Sequence, residues 1–121
     1  MYLAWQFNNK ELLEKFPPLF SNVIAHHCTI AFGNKQIAQY FDMHPRAKRK
    51  AQLTAHLNVN NGRVQAVGIR HFDGASMNGF AHITISHIDG AKPYEANELS
   101  QCYSQFETSP IVLDATMKLF D

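Results

Sequence analysis

The stretch AQLTAHLNV-NNG-RVQAVGIR, residues 51–70, is the strongest structural signal in this sequence. Two segments with the composition of strands flank Asn60-Asn61-Gly62, and Asn and Gly tolerate the positive φ of a tight hairpin turn. The pattern therefore predicts two antiparallel strands. We therefore expect an antiparallel sheet that includes these two strands.

Strand-like and helix-like segments alternate on both sides of the hairpin. Aromatic and β-branched runs predict strands, while capping asparagines, Pro17-Pro18 and Pro45 mark the ends of short helices. We predict strands at 2–7, 22–32, 80–88 and 110–120, helices through 16, at 35–43 and from 94 or 95 to 105, and a loop at 73–79. The order β-α-β-α-β-β-β-α-β predicts a single α+β domain spanning 1–121, with a mainly antiparallel sheet.

Composition limits the class of protein. The 121 residues are 45% apolar and 17% charged, as in a soluble globular protein, and no apolar run approaches the roughly 18 residues of a membrane span. The N-terminal residues lack the basic start and apolar core of a signal peptide. Cys28 and Cys102 form no CxxC spacing, so reduced thiols are expected. These features predict a cytoplasmic or nuclear monomer that does not cross a membrane.

Charge gives a weaker indication of partners. The net charge of +1 argues against a protein that binds long nucleic acid through its phosphates. The segment HPRAKRK (44–50) nevertheless concentrates four basic side chains. It is either a solvated loop or helix start, or a patch that attracts an anionic ligand.

A His-x-Thr-x pattern occurs twice, in HHCTIAFG (26–33) and in HITISH (82–87), and 55 positions (82 − 27) separate the two histidines. Side chains alternate between the faces of a strand, so His27 and Thr29 are expected on one face and His26 and Cys28 on the other. His82 and Thr84 obey the same rule. Two such strands in one sheet would bring two imidazoles and two hydroxyls to one concavity.

That set of groups is suited to a phosphate. An imidazole takes or gives a proton near pH 7, and threonine hydroxyls donate hydrogen bonds to phosphoryl oxygens. A buried structural histidine is the alternative for either motif alone. A zinc site made by His26, His27, His82 and His87 is disfavoured because alternation separates His26 from His27, and a Cys28–His27 nucleophile pair is disfavoured for the same reason. We expect His44, His56 and His71 to be non-catalytic.

The doubled motif, His27-Cys28-Thr29-Ile30 and His82-Ile83-Thr84-Ile85, resembles the signature of the two-histidine (2H) phosphoesterase superfamily. The segments HITISHIDGAKPYEANEL and LDATMKLFD are also similar to the cyclic-phosphodiesterase domain of fungal-type tRNA ligases. The interval between the motifs is short for the superfamily, which indicates a minimal version. Of the two adjacent histidines, only His27 has a threonine two residues on.

The resemblance implies a bilobal sheet with pseudo-twofold symmetry and a central cleft. It also implies an enzyme that hydrolyses phosphodiesters without a metal or other cofactor and acts on RNA or nucleotide 2′,3′-cyclic phosphate ends. One of His27 and His82 would be the general base and the other the general acid, while Thr29 and Thr84 hold the phosphate. From the residues themselves, candidate substrate-binding residues at the rim are Tyr94, Lys92, Ser86 and Phe32. The alternatives are an exposed loop aromatic for Tyr94, a solvated lysine for Lys92, a contact that ties the strand end for Ser86 and a core position for Phe32.

Two other functions remain open from the sequence. One is hydrolysis of 2′-5′-linked or cyclic oligonucleotide second messengers, which suits a small domain equally well. The other is a module that binds RNA ends or nucleotides without cutting them. Turnover of a nucleoside 2′,3′-cyclic phosphate separates the enzyme from the module.

Overall fold

The computed structural model describes residues 1–71, 76, 80–101 and 104–121. Within these ranges the chain forms seven strands, two α-helices and one 3₁₀ helix. The strands are β1 (Tyr2–Phe7), β2 (Asn22–Val23), β3 (His27–Phe32), β4 (Lys50–Asn60), β5 (Val64–His71), β6 (His82–His87) and β7 (Ser104–Phe120). The helices are α1 (Lys10–Lys15), α2 (Gly33–Met43) and the 3₁₀ helix Pro93–Gln101.

The predicted hairpin is present as β4 and β5. Gly62 adopts a φ of +85° in the turn, which costs glycine little because it has no Cβ. The Asn60 side-chain oxygen accepts a hydrogen bond from the Gly62 N–H at 3.1 Å, and that of Asn61 accepts one from the Arg63 N–H at 2.9 Å. The turn residues therefore satisfy their own backbone groups.

The strands are ordered β2-β6-β3-β1-β7-β4-β5, and β5 also pairs with β6. Six of them therefore close into an antiparallel barrel, and β2 pairs with the last two residues of β6. The expected α+β, bilobal domain with a pseudo-twofold cleft is thus wrong. Pairing of β5 with β6 satisfies backbone groups that an open sheet would leave exposed at its two edges.

The core lies inside the closed sheet and beneath its two α-helices. Alternate residues of the strands point inward, and the helices add Leu12, Phe16 and Tyr40 to the same cluster. A second, smaller cluster forms where the 3₁₀ helix packs on β4 and β5, through Val59, Val64, Ala66, Ala91, Ala96 and Leu99. The 3₁₀ helix therefore covers part of the outer face of the sheet.

Two elements differ most from the prediction. The expected strand 22–32 is split into β2 and β3, because Ala25 has a φ of +48° and turns the chain between them. The expected helix from 94 or 95 to 105 is a 3₁₀ helix that ends at Gln101, and β7 begins at Ser104. Apart from Ser76, the predicted loop 73–79 lies outside the described residues.

Among the described residues, no helix combines the length and the apolar character that crossing a membrane requires. Cys28 carries a buried, reduced thiol. Burial raises the pKa of the Cys28 thiol to about 12, so it stays protonated at neutral pH. Cys102 lies outside the described residues.

Candidate active site

A cavity of about 580 Å³ opens where β3 and β6 lie side by side. His27 and Thr29 from β3 line it together with His82 and Thr84 from β6. The side chains at the alternate positions of these strands are buried in the core: Cys28 and Ile30 on β3, and Ile83 and Ile85 on β6. The alternation of a strand therefore places both motifs on the same outer face, as the sequence predicts.

The pairing of β3 with β6 sets how the motifs face each other. Cys28 lies opposite Ile83 in an antiparallel register. His27 and Thr29 therefore flank Cys28 on one strand, and His82 and Thr84 flank Ile83 on the other. The four residues lie on both sides of this pair, and all of them line the cavity.

The His82 ring is held in one tautomer. It is 6% exposed, and its Nδ1 lies 2.6 Å from the Phe80 carbonyl oxygen. A carbonyl oxygen only accepts, so Nδ1 carries the proton and donates it. In the neutral ring Nε2 is then a free acceptor, which is what a general base requires. Burial lowers the pKa of His82, because it disfavours the charged form.

Gly68 supports His82 from the neighbouring strand. It is the β5 partner of His82, and a Cβ at this position would come within 3.2 Å of both Leu57 Cβ and Phe80 Cε1. The Phe80 ring stacks on the His82 ring, with centroids 5.2 Å apart and planes at 15°. The missing side chain of Gly68 therefore leaves room for the residue that orients His82.

The sequence predicted that His26 lies on the opposite side of the strand from His27, and this prediction is wrong. Its Nδ1 lies 2.7 Å from Nδ1 of His27, and the ring centroids are 4.5 Å apart. The alternation of a regular strand does not extend to His26, because β3 begins only at His27. Ala25, the residue before His26, has a left-handed φ of +48°. His26 therefore belongs to the surroundings of the site.

The environment of His27 disfavours its charged form. Burial is the largest cause, followed by repulsion from His26 and from His82, and together they lower the pKa of His27 to about 4. The ring also packs against Tyr2 and Phe120, with centroid separations of 5.2 and 6.0 Å. In the absence of ligand both motif histidines are therefore neutral at pH 7.

The structure separates the four rim candidates. Tyr94 and Phe32 line the cavity, and both are mostly exposed. Ser86 does not line it: its side chain is fully buried and donates to Gln65 Oε1 at 2.7 Å. A register shift between Thr84 and Ser86 interrupts the alternation that predicted a shared face. Ser86 is therefore a structural residue and not a substrate contact.

Lys92 also lies outside the lining of the cavity. Its backbone N–H donates to Glu95 Oε2 at 2.8 Å, and Glu95 forms an ion pair with Arg63 at 2.9 Å. These contacts, with the Arg63 hydrogen bond first, lower the pKa of Glu95 to about 2. They attach the 3₁₀ helix to the β4–β5 turn, and that helix brings Tyr94 to the cavity.

The cavity is also lined by Tyr2, Gln36 and Asn97, which were not predicted from the sequence. They come from β1, α2 and the 3₁₀ helix, and no motif connects them to the histidines. Only the packing of these elements around β3 and β6 brings them there. An aromatic residue in the first strand was visible in the sequence, but its position beside His27 was not.

The described residues contain no group of three or more His, Cys, Asp or Glu side chains placed to hold a metal ion. His44 packs on Tyr40 at 4.8 Å between ring centroids, and His56 lies on β4. Neither lines the cavity. The side chain of His71 lies outside the described part.

Comparison of the chain with protein-family models, with curated proteins and with solved structures found no match.

Proposed function

We propose that this protein is a metal-independent phosphodiesterase that hydrolyses RNA or nucleotide 2′,3′-cyclic phosphates. The observation that carries the proposal is that His27, Thr29, His82 and Thr84 line one cavity. The reaction class follows from the resemblance of the two His-x-Thr-x motifs to the 2H phosphoesterases. The proposal does not depend on the bilobal fold of that superfamily, because it requires only two adjacent strands.

In the proposed reaction a water oxygen attacks phosphorus, and the bond from phosphorus to one ribose oxygen breaks. A neutral imidazole takes the proton of the water, and a protonated imidazole gives its proton to the leaving oxygen. His82 is suited to the first role, because its Nδ1–H is engaged by the Phe80 carbonyl and its Nε2 is free. The orientation of the substrate decides which histidine acts first.

The threonines and the low pKa values fit the same chemistry. Thr29 and Thr84 donate hydrogen bonds to the two non-bridging oxygens, where charge increases in the transition state. A bound phosphate places negative charge beside both rings, which raises their pKa values. Substrate binding therefore supplies the condition in which one ring is protonated near neutral pH.

The test is turnover of nucleoside 2′,3′-cyclic phosphates by the purified protein, before and after dialysis against EDTA. We expect hydrolysis that is unchanged by the chelator. Loss of activity that zinc restores would show that the histidines are metal ligands. Thr29→Val and Thr84→Val keep the shape of each side chain and remove its hydroxyl. We expect each to lower kcat roughly 10²-fold or more, as for other donors to a developing charge.

The same assay separates the other two functions. Hydrolysis of 2′-5′ oligoadenylates or of cyclic dinucleotides in preference to 2′,3′-cyclic phosphates would assign the protein to second-messenger turnover. Binding of a nucleotide without turnover of any of these substrates would identify a binding module. Either result would replace the proposed substrate.

A further inference from the structure

A row of stacked aromatic rings runs outward from the cavity across three strands. Tyr2 on β1 is the direct strand partner of both Phe32 on β3 and Phe120 on β7. The Tyr2 and Phe120 rings are 4.8 Å apart at 6°, and the Tyr2 and Phe32 rings are 6.4 Å apart at 13°. Phe32, at the cavity end of the row, is 68% exposed. The row therefore ends in an aromatic face that is open to a ligand.

Basic side chains continue this row on the same face of the sheet. Lys118 Nζ lies 5.0 Å from the centroid of the Phe120 ring. Thr116 and Lys118 precede Phe120 at alternate positions of β7 and are exposed, so they share its outer face. Lys50 on β4 is the direct strand partner of Thr116. The face therefore runs from the candidate active site to the basic segment that the sequence singled out.

A second cavity lies at the far end of this face. Its volume is about 580 Å³, and Lys48, Lys50 and Thr116 line it together with Asp114. Asp114 accepts a hydrogen bond from Gln52 at 3.4 Å and places one negative charge beyond the lysines. From Phe32 to Lys50 the face crosses three strand spacings, about 14 Å, and moves four residues along β7, from Phe120 to Thr116, about 13 Å, so the path is roughly 20 Å long. This length suits a few nucleotides and not a long duplex, in agreement with the low net charge of +1.

We propose that the outer face of β3, β1, β7 and β4 binds a short stretch of single-stranded RNA whose 3′ end enters the cavity. The base next to the reactive phosphate extends the ring row at Phe32, because any base stacks on an open aromatic face. Phosphates further along the strand meet Lys118 and Lys50. The inference deepens the proposed function and rests on it, since it names an RNA strand as the substrate in place of a mononucleotide.

The experiment measures binding of a short single-stranded RNA with a 3′-hydroxyl by fluorescence anisotropy over a series of salt concentrations. Each phosphate contact of a single strand contributes about 0.7 to the slope of log K against log salt. We expect Lys50→Ala combined with Lys118→Ala to reduce that slope by about 1.4. We expect Phe32→Ala to weaken binding about tenfold, the size of one lost stacking contact. Lys15→Ala, on α1, is the matched control and should change neither quantity.

The inference is overturned if the lysine variants leave the salt slope unchanged, or if Phe32→Ala leaves the affinity unchanged. It is also overturned if the same RNA in duplex form binds as tightly as the single strand, because paired bases do not reach the ring row. Sedimentation of Phe32→Ala tests a second copy of the chain as the occupant. A change of oligomeric state without a change of RNA affinity would assign the row to a subunit contact.

The probe has no scissile cyclic phosphate, so this result is independent of catalysis. Tight binding that is sensitive to these variants, by a protein that does not turn over cyclic phosphates, supports the RNA surface and refutes the proposed hydrolysis. If the protein hydrolyses mononucleotides but its RNA affinity is the same in these variants as in the wild type, the RNA surface is refuted and the proposed hydrolysis stands.

Discussion

Nδ1 of His26 lies 2.7 Å from Nδ1 of His27. At this distance one nitrogen donates to the other, so the pair holds one proton between the two atoms. A proton on both would place two N–H groups against each other. In the proposed mechanism His27 donates, which leaves its Nε2 free in the same way as that of His82. His26 is then a positioning residue.

Replacement of His26 tests this role through the pH profile. We expect His26→Ala to change the pKa of His27, because it removes both the acceptor of the Nδ1 hydrogen bond and the repulsion that is one of the causes lowering that pKa. The limb of the kcat/KM profile that reports His27 should therefore move along the pH axis. A profile of unchanged shape with a uniformly lower rate would indicate a structural role only.

A conservative variant and a matched control make the His26 test sharper. His26→Asn retains a side-chain oxygen that accepts from His27 Nδ1, so we expect it to recover the rate lost in His26→Ala. His87→Asn is the control, because Nδ1 of His87 lies 2.9 Å from the Ile88 carbonyl oxygen and its ring does not line the cavity.

The wild-type protein should show a bell-shaped profile of kcat/KM with its maximum below pH 6.5. The chemistry needs one neutral and one protonated imidazole, and the pKa values of His27 and His82 are both lowered. The two apparent values belong to the pair. The profile of kcat should lie at higher pH, since bound phosphate favours the charged rings. A maximum of kcat/KM above pH 7 contradicts this assignment.

Loss of either motif histidine should lower kcat about 10²- to 10⁴-fold, the usual effect of a positioned acid or base. His27→Ala tests the partly exposed ring. For the buried ring we choose His82→Asn, because its amide retains a donor for the Phe80 carbonyl and leaves a smaller void than alanine. Melting temperatures measured beside kcat separate lost chemistry from lost folding. A well-folded variant that retains wild-type kcat would remove that histidine from the mechanism.

Gly68→Ala should change the orientation of His82 indirectly, by displacing Phe80. The new methyl group would meet Leu57 and the Phe80 ring at 3.2 Å, and such crowding typically costs about 1–3 kcal/mol. Phe80 must shift, and with it the carbonyl that orients His82. We expect a lower melting temperature and a lower kcat with little change in KM. Ala55→Gly, at a buried core position of β4 that pairs with β5 and β7 and does not line the cavity, should lower stability without changing kcat.

Stability should fall as the pH drops from about 6.5 to about 4. In this interval the unfolded chain takes up protons on histidines that the folded protein keeps neutral, so the unfolded state binds more protons and stability rises with pH. His27, with its pKa lowered to about 4, contributes to this dependence. Urea unfolding of wild type and His27→Gln at pH 7 and pH 5 measures it. We expect a smaller difference between the two pH values in the variant, and equal differences would contradict the lowered pKa.

Local features of the sequence were sufficient to locate the β4–β5 hairpin and the faces of β3 and β6. Turn chemistry at Asn60-Asn61-Gly62 depends on neighbouring residues, and strand alternation depends only on position along the strand. For this reason the sequence predicted that His27, Thr29, His82 and Thr84 would share one cavity. The same rule failed where the backbone departs from a regular strand, at Ala25 before His26 and at the register shift before Ser86.

Only the tertiary structure decided whether the sheet closes into a barrel or keeps two open edges. Whether β5 stays an edge or pairs with β6 depends on backbone groups far apart in the chain, and no periodicity of side chains records that choice. The same is true of the stacking of Phe32, Tyr2 and Phe120, which come from three strands and meet only through register. Sequence patterns specify which face a residue occupies, while the pairing of distant strands determines which residues share that face, because hydrogen bonds between strands form across the chain and not along it.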